Sequence, residues 1–283
     1  MKGRFPSSWR LLTVLTDDGF RHMSLDHALL LSSQEDGFPP TLRFYRWKPP
    51  CLSLGRFQPP GDVDWERCRR EGVDVVRRPT GGKAILHLDD FTYSIVLPPR
   101  CDLPGSVVEA YAVVCTGIRE ALSSLGLETE IATVSGGGKA PGSGACFSTS
   151  TMADLRCNGR KICGSAQVRH AGGVLQHGSL LLRDNSSLFF RLLAFPDEKE
   201  RENARRGFVL RSVTLEETGV SVNWGDLADA FVRGFRRAFG VRLEEGKLEA
   251  GESNLWAALE REYRTPSWTR EGRMTLPQAP GTH

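Results

Sequence analysis

The sequence predicts an α/β (α+β) chain of mixed β-sheets flanked by helices. Two observations carry this: helical apolar periodicity over residues 107–124 and 223–240, and short β-branched runs such as 73–76 and 92–97 interleaved with it. A third is continuity. No internal repeat or low-complexity linker divides the 283 residues, enough chain to bury a core without a metal or disulfide staple. One main domain with a small helical C-terminal extension is the economical organisation.

In chain order, residues 23–31 read as a short helix with Leu25, Ala28 and Leu29 on one face. Residues 42–47 read as a strand; after a Pro-Pro break, 52–54 form a second. Val73, Val75 and Val76 run into Arg77-Arg78-Pro79-Thr80-Gly81-Gly82, and the strand at 92–97 stops at Pro98-Pro99. The helix at 107–124 has the clearest signature: Ser106 and Glu109 form a capping-box pattern, Val107, Tyr111, Val114, Ile118 and Leu122 recur at helical spacing, and Gly126 provides a stop. Residues 135–144, SGGGKAPGSG, are too rich in Gly and Pro for a regular element. Asn158-Gly159 signals a two-residue hairpin turn, and 174–182 read as a strand. Asn223 caps a helix carrying Leu227, Phe231 and Phe235 and ending near Gly240, and a last helix covers 253–264.

Charged residues at 25% and hydrophobic residues at 40% are ordinary for a soluble globular protein. The net charge of +3 makes no case for nucleic acid, although local clusters such as Arg67, Arg69 and Arg70 suit either solvent or an acidic protein. No segment approaches the roughly 20 apolar residues that cross a bilayer, and the run at 11–15 is too short for a signal-peptide core. Seven cysteines without a C-x-x-C pair argue against a metal site or disulfide framework and for a reducing, cytoplasmic setting.

Chemistry concentrates in residues 146–182. Cys146 follows the Gly-rich loop, and Lys161 stands fifteen residues later, beyond the Asn158-Gly159 turn. A thiol reacts as its thiolate, which a nearby cation favours, so a returning Lys161 would make an acyl-transfer centre. From spacing alone, that reading and a buried inert cysteine with a solvated lysine stand level. The loop is not a P-loop, because Ala140 replaces the required Ser or Thr and Thr133 the first glycine. Gly164, Ser165 and Ala166 are small enough to let substrate approach backbone N–H donors, with Gln167 beside them. The Arg77-to-His87 block, including Thr80, Gly81, Gly82 and Lys83, can present backbone donors to a carbonyl or phosphate, or be a plain polar hairpin turn. His177, before Gly178, lies in an apolar strand, where a lone histidine is more often a satisfied core group than a catalyst.

Three blocks together resemble the biotin/lipoate protein ligase superfamily: RRPTGGKAILH (77–87), GRKICGSAQ (159–167) and LQHGSLLL (175–182). Weaker matches, MSLDHALL (23–30), LRFYRWKPPCLSLGRFQ (42–58) and EREYRTPSW (260–268), follow in family order. The resemblance implies a catalytic domain of that type over 1–222, a helical extension of the same domain over 223–268, and a flexible tail over 269–283. Within the superfamily, a cysteine followed by Phe fifteen residues before the lysine is similar to octanoyltransferases of the LipM type, whereas ATP-dependent lipoate ligases need no cysteine there. That branch implies octanoyl transfer from acyl carrier protein to a lysine of a lipoyl domain, such as the glycine-cleavage H protein, with Cys146 as nucleophile and Lys161 activating it. The octanoyl-phosphopantetheine of the carrier is then the donor, with no cofactor or metal. Arg77, Arg78, Thr80, Gly81, Gly82, Lys83, His87, Gly164, Ser165, Ala166, Gln167, His177 and Gly178 would line the pocket. The alternatives are an ATP- and Mg-using lipoate ligase and an octanoyl-H-protein amidotransferase. Two departures from the family stand out: His27 where many relatives carry Glu, and Lys83 in place of a third glycine.

Overall fold

The computed structural model describes residues 5–132 and 154–274, the side chains of 13–15 excepted. The elements are β1 (Ser8–Asp17), α1 (Gly19–Ser32), β2 (Thr41–Trp47), β3 (Cys51–Leu54), α2 (Trp65–Arg70), β4 (Asp74–Arg77), β5 (Ile85–His87), β6 (Asp90–Leu97), α3 (Val107–Ser123) and β7 (Glu130–Ile131). There follow β8 (Leu155–Cys157), β9 (Arg160–His170), β10 (Gly173–Leu181), α4 (Ser186–Leu192), α5 (Glu198–Arg211), α6 (Trp224–Phe239), β11 (Arg242–Gly246), α7 (Ala250–Tyr263) and α8 (Pro266–Glu271).

Among the described residues, eight strands form one sheet in the order β11-β1-β2-β6-β10-β9-β8-β7, and β4-β3-β5 form a second. β1 runs parallel to both its neighbours, while the other pairs of the large sheet are antiparallel. This is the mixed α/β architecture the sequence predicts. α3 and α6 cover one face of the large sheet, burying Val114, Ile118, Phe231 and Phe235 against Phe44, Phe91 and Tyr93. α1 lies between the two sheets, with Met23 and Ala28 packed among Tyr45, Trp47, Val76 and the aromatic residues Tyr263 and Trp268. α2, α4 and α5 close the small sheet around Leu52, Leu54, Ile85 and Phe190. No helix among the described residues is long and apolar enough to cross a membrane.

Capping explains most boundaries. The Ser106 hydroxyl accepts from Glu109 N–H to start α3, and the Asn223–Asp226 capping box starts α6, which stops at Gly240 in the left-handed region at φ 67°. α1 begins ahead of the expected residue 23 because Asp18 accepts from Arg21 N–H. α7 likewise begins at Ala250, ahead of 253, because Glu249 and Glu252 form a capping box. Residues 11–15 fall within β1, which pairs with β2 and β11. The expected tail at 269–283 needs correction at its start. Residues 269–271 complete α8, whose Thr269 is buried and whose carbonyls at 269 and 270 accept from the Arg77 guanidinium. The segment 223–268 shares the main core through α6 and adds β11 to the edge of the large sheet.

Candidate active site

A cleft lies between the two sheets and encloses about 360 Å³ of empty space, part of it open to solvent. Met23 of α1 and Tyr45 of β2 form one wall, Ser53, Arg78, Ile85 and His87 another, and Gly164, Ser165, Ala166, His177 and Gly178 the floor. Strand register builds that floor. β9 and β10 pair Ala166 with His177 and Ser165 with Gly178, so two motifs apart in sequence become neighbours. β6 sets Tyr93 opposite Gly178 on the other side. A Cβ at Gly178 would lie 2.3 Å from Ser165 Oγ, 2.7 Å from the Gly164 carbonyl oxygen and 2.7 Å from Tyr93 Cε1, so glycine is the residue that permits this close approach. Tyr93 and Ser165 hydroxyls then meet at 2.7 Å.

Asp26 of α1 is the polar centre behind the cleft and is fully buried. Its carboxylate accepts from Arg43, from Ser94 Oγ at 2.7 Å, from Tyr45 Oη at 3.0 Å and from His177 Nδ1 at 3.0 Å. Burial alone would raise its pKa. The Arg43 charge and the bonds from His177 and Ser94 outweigh burial and hold it at about 2. His177 Nε2 meets Thr80 Oγ1 at 2.6 Å. His87 makes a second set of contacts, Nδ1 to Asp90 at 2.7 Å and Nε2 to Ser53 Oγ at 2.9 Å, with its ring stacked on Trp47 at a centroid distance of 3.9 Å. Asp90 also accepts from Thr92 and Ser179 hydroxyls.

The two arginines of the RR block go different ways. Arg78 lines the cleft and donates to Thr80 Oγ1 and to the carbonyls of Ser53, Gly81 and Lys83. Arg77 turns away from it. Its guanidinium donates to the carbonyls of Gly55, Arg56, Gln58, Thr269 and Arg270, so its expected place in the pocket is corrected to a structural one. Gln167 also sits apart from the cleft lining and donates to Gln176 Oε1 at 3.1 Å. Gly81, Gly82 and Lys83 form the turn that Arg78 clasps, Gly82 in the left-handed region at φ 94°. His27 contacts Tyr263 Oη at 3.2 Å and stacks on Trp268, and burial lowers its pKa to about 4.

The Asn158-Gly159 turn forms as expected, with φ of 50° and 74° at its two residues, and it pairs β8 with β9. It returns Lys161 as a buried cation whose Nζ lies 3.0 Å from Asp154 Oδ2. Asp154 opens the second described segment. Cys146, and with it the expected Cys146–Lys161 contact and the loop at 135–144, lies outside the described residues.

Sequence reading does not single out Asp26, Ser53, Asp90, Tyr93 or Asp154. Asp26 carried a signal, an acid on the apolar face of the α1 pattern between Leu25 and Leu29; Asp154 carried another, an acid across the hairpin from a lysine. Ser53 and Tyr93 carried none, because only the pairing of strands brings Ser53 to the cleft and Tyr93 against its floor at Ser165.

A cleft between two sheets, floored by the β9 and β10 motifs, together with a buried lysine on β9, is the arrangement of a lipoyl ligase-like catalytic domain. The chain matches the lipoyl protein ligase A/B catalytic domain over residues 18–236, and it belongs to that family. Octanoyltransferase LipM of Symbiobacterium thermophilum is 39% identical over 272 residues, covering 93% of this chain and 98% of that protein. Octanoyltransferase LipM of Kyrpidia tusciae is 38% identical over 268 residues, covering 92% and 98%. Among solved structures, one from the bipartite lipoate protein ligase and E2 lipoyl domain system of Thermoplasma acidophilum superposes with a TM-score of 0.81 at 25% identity, covering 96% of this chain and 100% of that one. Within the family the chain is an acyltransferase, an octanoyltransferase of lipoate biosynthesis.

Proposed function

We propose that the chain moves octanoyl from acyl carrier protein to a lipoyl-domain lysine through a thioester on Cys146. The Cys146 thiolate attacks the octanoyl carbonyl, and the phosphopantetheine thiol of the carrier leaves with a proton. The ε-amine of the acceptor lysine then attacks the Cys146 thioester, forming the amide, and the Cys146 thiol is regenerated. Thioester to thioester to amide runs downhill, so neither ATP nor a metal is required, and the carrier places the reaction in the cytoplasm. The acceptor is a lipoyl domain such as the glycine-cleavage H protein; a lipoyl domain also accompanies the Thermoplasma ligase.

The observation that carries this reading is the buried Lys161–Asp154 pair, set where the chain bearing Cys146 joins the β8–β9 hairpin. A cation there favours the thiolate and the oxyanion that develops on the acyl carbonyl. The cleft between the sheets is lined mainly by apolar atoms and small residues, the chemistry that an acyl chain prefers.

The test is intact mass after mixing the protein with octanoyl acyl carrier protein. An octanoyl adduct on Cys146 without ATP, absent in Cys146→Ser and discharged by a lipoyl domain, is expected. Pyrophosphate release with free lipoate and full activity in Cys146→Ser would establish a ligase instead. An adduct formed only from octanoyl H protein would establish the amidotransferase.

A further inference from the structure

Arg78 closes two chains of hydrogen bonds that run side by side behind the cleft. In the first, Asp26 Oδ2 accepts from His177 Nδ1 at 3.0 Å, and His177 Nε2 meets Thr80 Oγ1 at 2.6 Å. In the second, Asp90 Oδ2 accepts from His87 Nδ1 at 2.7 Å, and His87 Nε2 meets Ser53 Oγ at 2.9 Å. A carboxylate only accepts, so each imidazole carries a hydrogen on Nδ1, and a neutral ring then accepts at Nε2 from the hydroxyl. The two hydroxyl oxygens in turn accept from Arg78, Thr80 from Nε at 3.2 Å and Ser53 from Nη1 at 3.4 Å. The other donations of that guanidinium go to the carbonyls of Ser53, Gly81 and Lys83 at 3.0, 2.7 and 2.8 Å. Thr80, Ser53, Asp26 and both histidines are all buried.

We propose that His177 and His87 are positioning residues, a pair of neutral acceptors that lock Arg78 into the cleft wall and so fix the turn at 79–83. The inference rests on the octanoyl-transfer reading and deepens it. Arg78 keeps its charge, but its donors are turned to Thr80, Ser53 and the carbonyls of the turn, so it serves the wall as a clasp that shapes the cleft for the acyl thioester. Burial lowers the His177 pKa against the opposing pull of Asp26, which agrees with a neutral ring. The charged and titratable groups around His177 are Asp26 of α1, Arg43 and Tyr45 of β2, Arg78 and His87; Asp90 faces His87. Protonating either Nε2 turns an acceptor into a donor. The hydroxyl would then face two donors with no acceptor for its own hydrogen, and the hold on Arg78 would loosen.

The tautomers are read directly from imidazole ¹⁵N shifts in the labelled full-length protein at pH 7. Both rings are expected to carry hydrogen on Nδ1 and none on Nε2; a hydrogen on Nε2 of either ring overturns the lock. Thr80→Val removes the hydroxyl at nearly constant shape and is expected to lower kcat/KM for octanoyl acyl carrier protein about tenfold and to raise the pH of the acid limb. Thr80→Ser keeps the hydroxyl and restores both. Wild-type kcat/KM and pH profile in Thr80→Val, or no rescue by Thr80→Ser, overturns the positioning role. Failure of the wild type to form the Cys146 adduct would sink the transfer reading, while the tautomers would still report on the lock.

Discussion

Removing the Asp26 carboxylate strands a guanidinium inside the protein. Arg43 is only 2% exposed, and its other contacts are the His22 carbonyl at 3.4 Å and the Tyr45 ring, over which its Cζ lies at 4.4 Å. Deleting one partner of a buried ion pair costs roughly 3–5 kcal/mol, a large share of the roughly 5–15 kcal/mol that holds a domain folded. At about 2–4 °C per kcal/mol for a chain of this size, Asp26→Ala is expected to lower Tm by roughly 6–20 °C at pH 7, measured by circular dichroism. The deficit should narrow in acid. The carboxyl is held at about 2, below its ordinary 3.8, so its contribution is fully present above about pH 4 and is lost as pH falls through 2. Linkage makes that contribution about 2 kcal/mol. Adding Arg43→Met removes the stranded charge and should recover part of the loss. A Tm within about 2 °C of wild type, or a deficit unchanged between pH 5 and pH 2, would refute the assignment of Asp26 as the ionised keystone.

Gly178→Ala puts a methyl group into the Ser165 and Tyr93 contacts and should cut octanoyl transfer at least about tenfold, seen as kcat/KM with the far-ultraviolet spectrum unchanged. Arg77→Met removes the guanidinium donor from five carbonyls, of which Gly55 keeps the Gln58 N–H; a loss of roughly 2–4 kcal/mol in urea unfolding is expected, with faster amide exchange confined to α8 and residues 55–58. Lys161→Ala should slow formation of the Cys146 adduct at least about a hundredfold in a single-turnover mass assay, and equal rates would remove the lysine from the reaction.

Local signals were enough where an element carries its own cap or turn. Ser106, Asn223, Gly240 and Asn158-Gly159 each enforce a backbone geometry by themselves, and each did so where the sequence placed it. Two of the elements that escaped sequence reading, α5 and β11, carry little periodicity. α5 buries only Phe208 within a run of charges, and β11 buries only Leu243. The site follows the same rule. Gly178, His177 and Gly164 to Ala166, which lie on the cleft floor, were singled out by the GRKICGSAQ and LQHGSLLL blocks, since from its own pattern His177 reads as a core group. Tyr93 and Ser53 meet their partners, Ser165 and His87, only through register, which no local pattern encodes. Arg77 was misplaced for a related reason. An arginine beside a glycine turn suggests an anion, and nothing nearby in sequence shows that its acceptors are carbonyls about twenty residues upstream and nearly two hundred downstream.

The paired arginines acquire a physical rationale from that difference. Successive side chains at a strand end point to opposite faces, so two adjacent arginines at the end of β4 must diverge. Arg77 reaches back to α8, where Trp268 Nε1 returns a bond to the Arg77 carbonyl at 2.9 Å. Arg78 reaches forward into the cleft wall and clasps the glycine turn. The block therefore couples the C-terminal helices to the cleft through two consecutive residues. This places EREYRTPSW in the same mechanical unit as RRPTGGK, though nearly two hundred residues separate them. Loss of the Trp268 contact should then be felt at the turn. Trp268→Phe deletes that donor and part of the buried ring, so global stability falls, and amide exchange at 79–83 should quicken by more than that global loss accounts for. Exchange that quickens only at 266–271 would show α8 to be a passive cover and break the coupling.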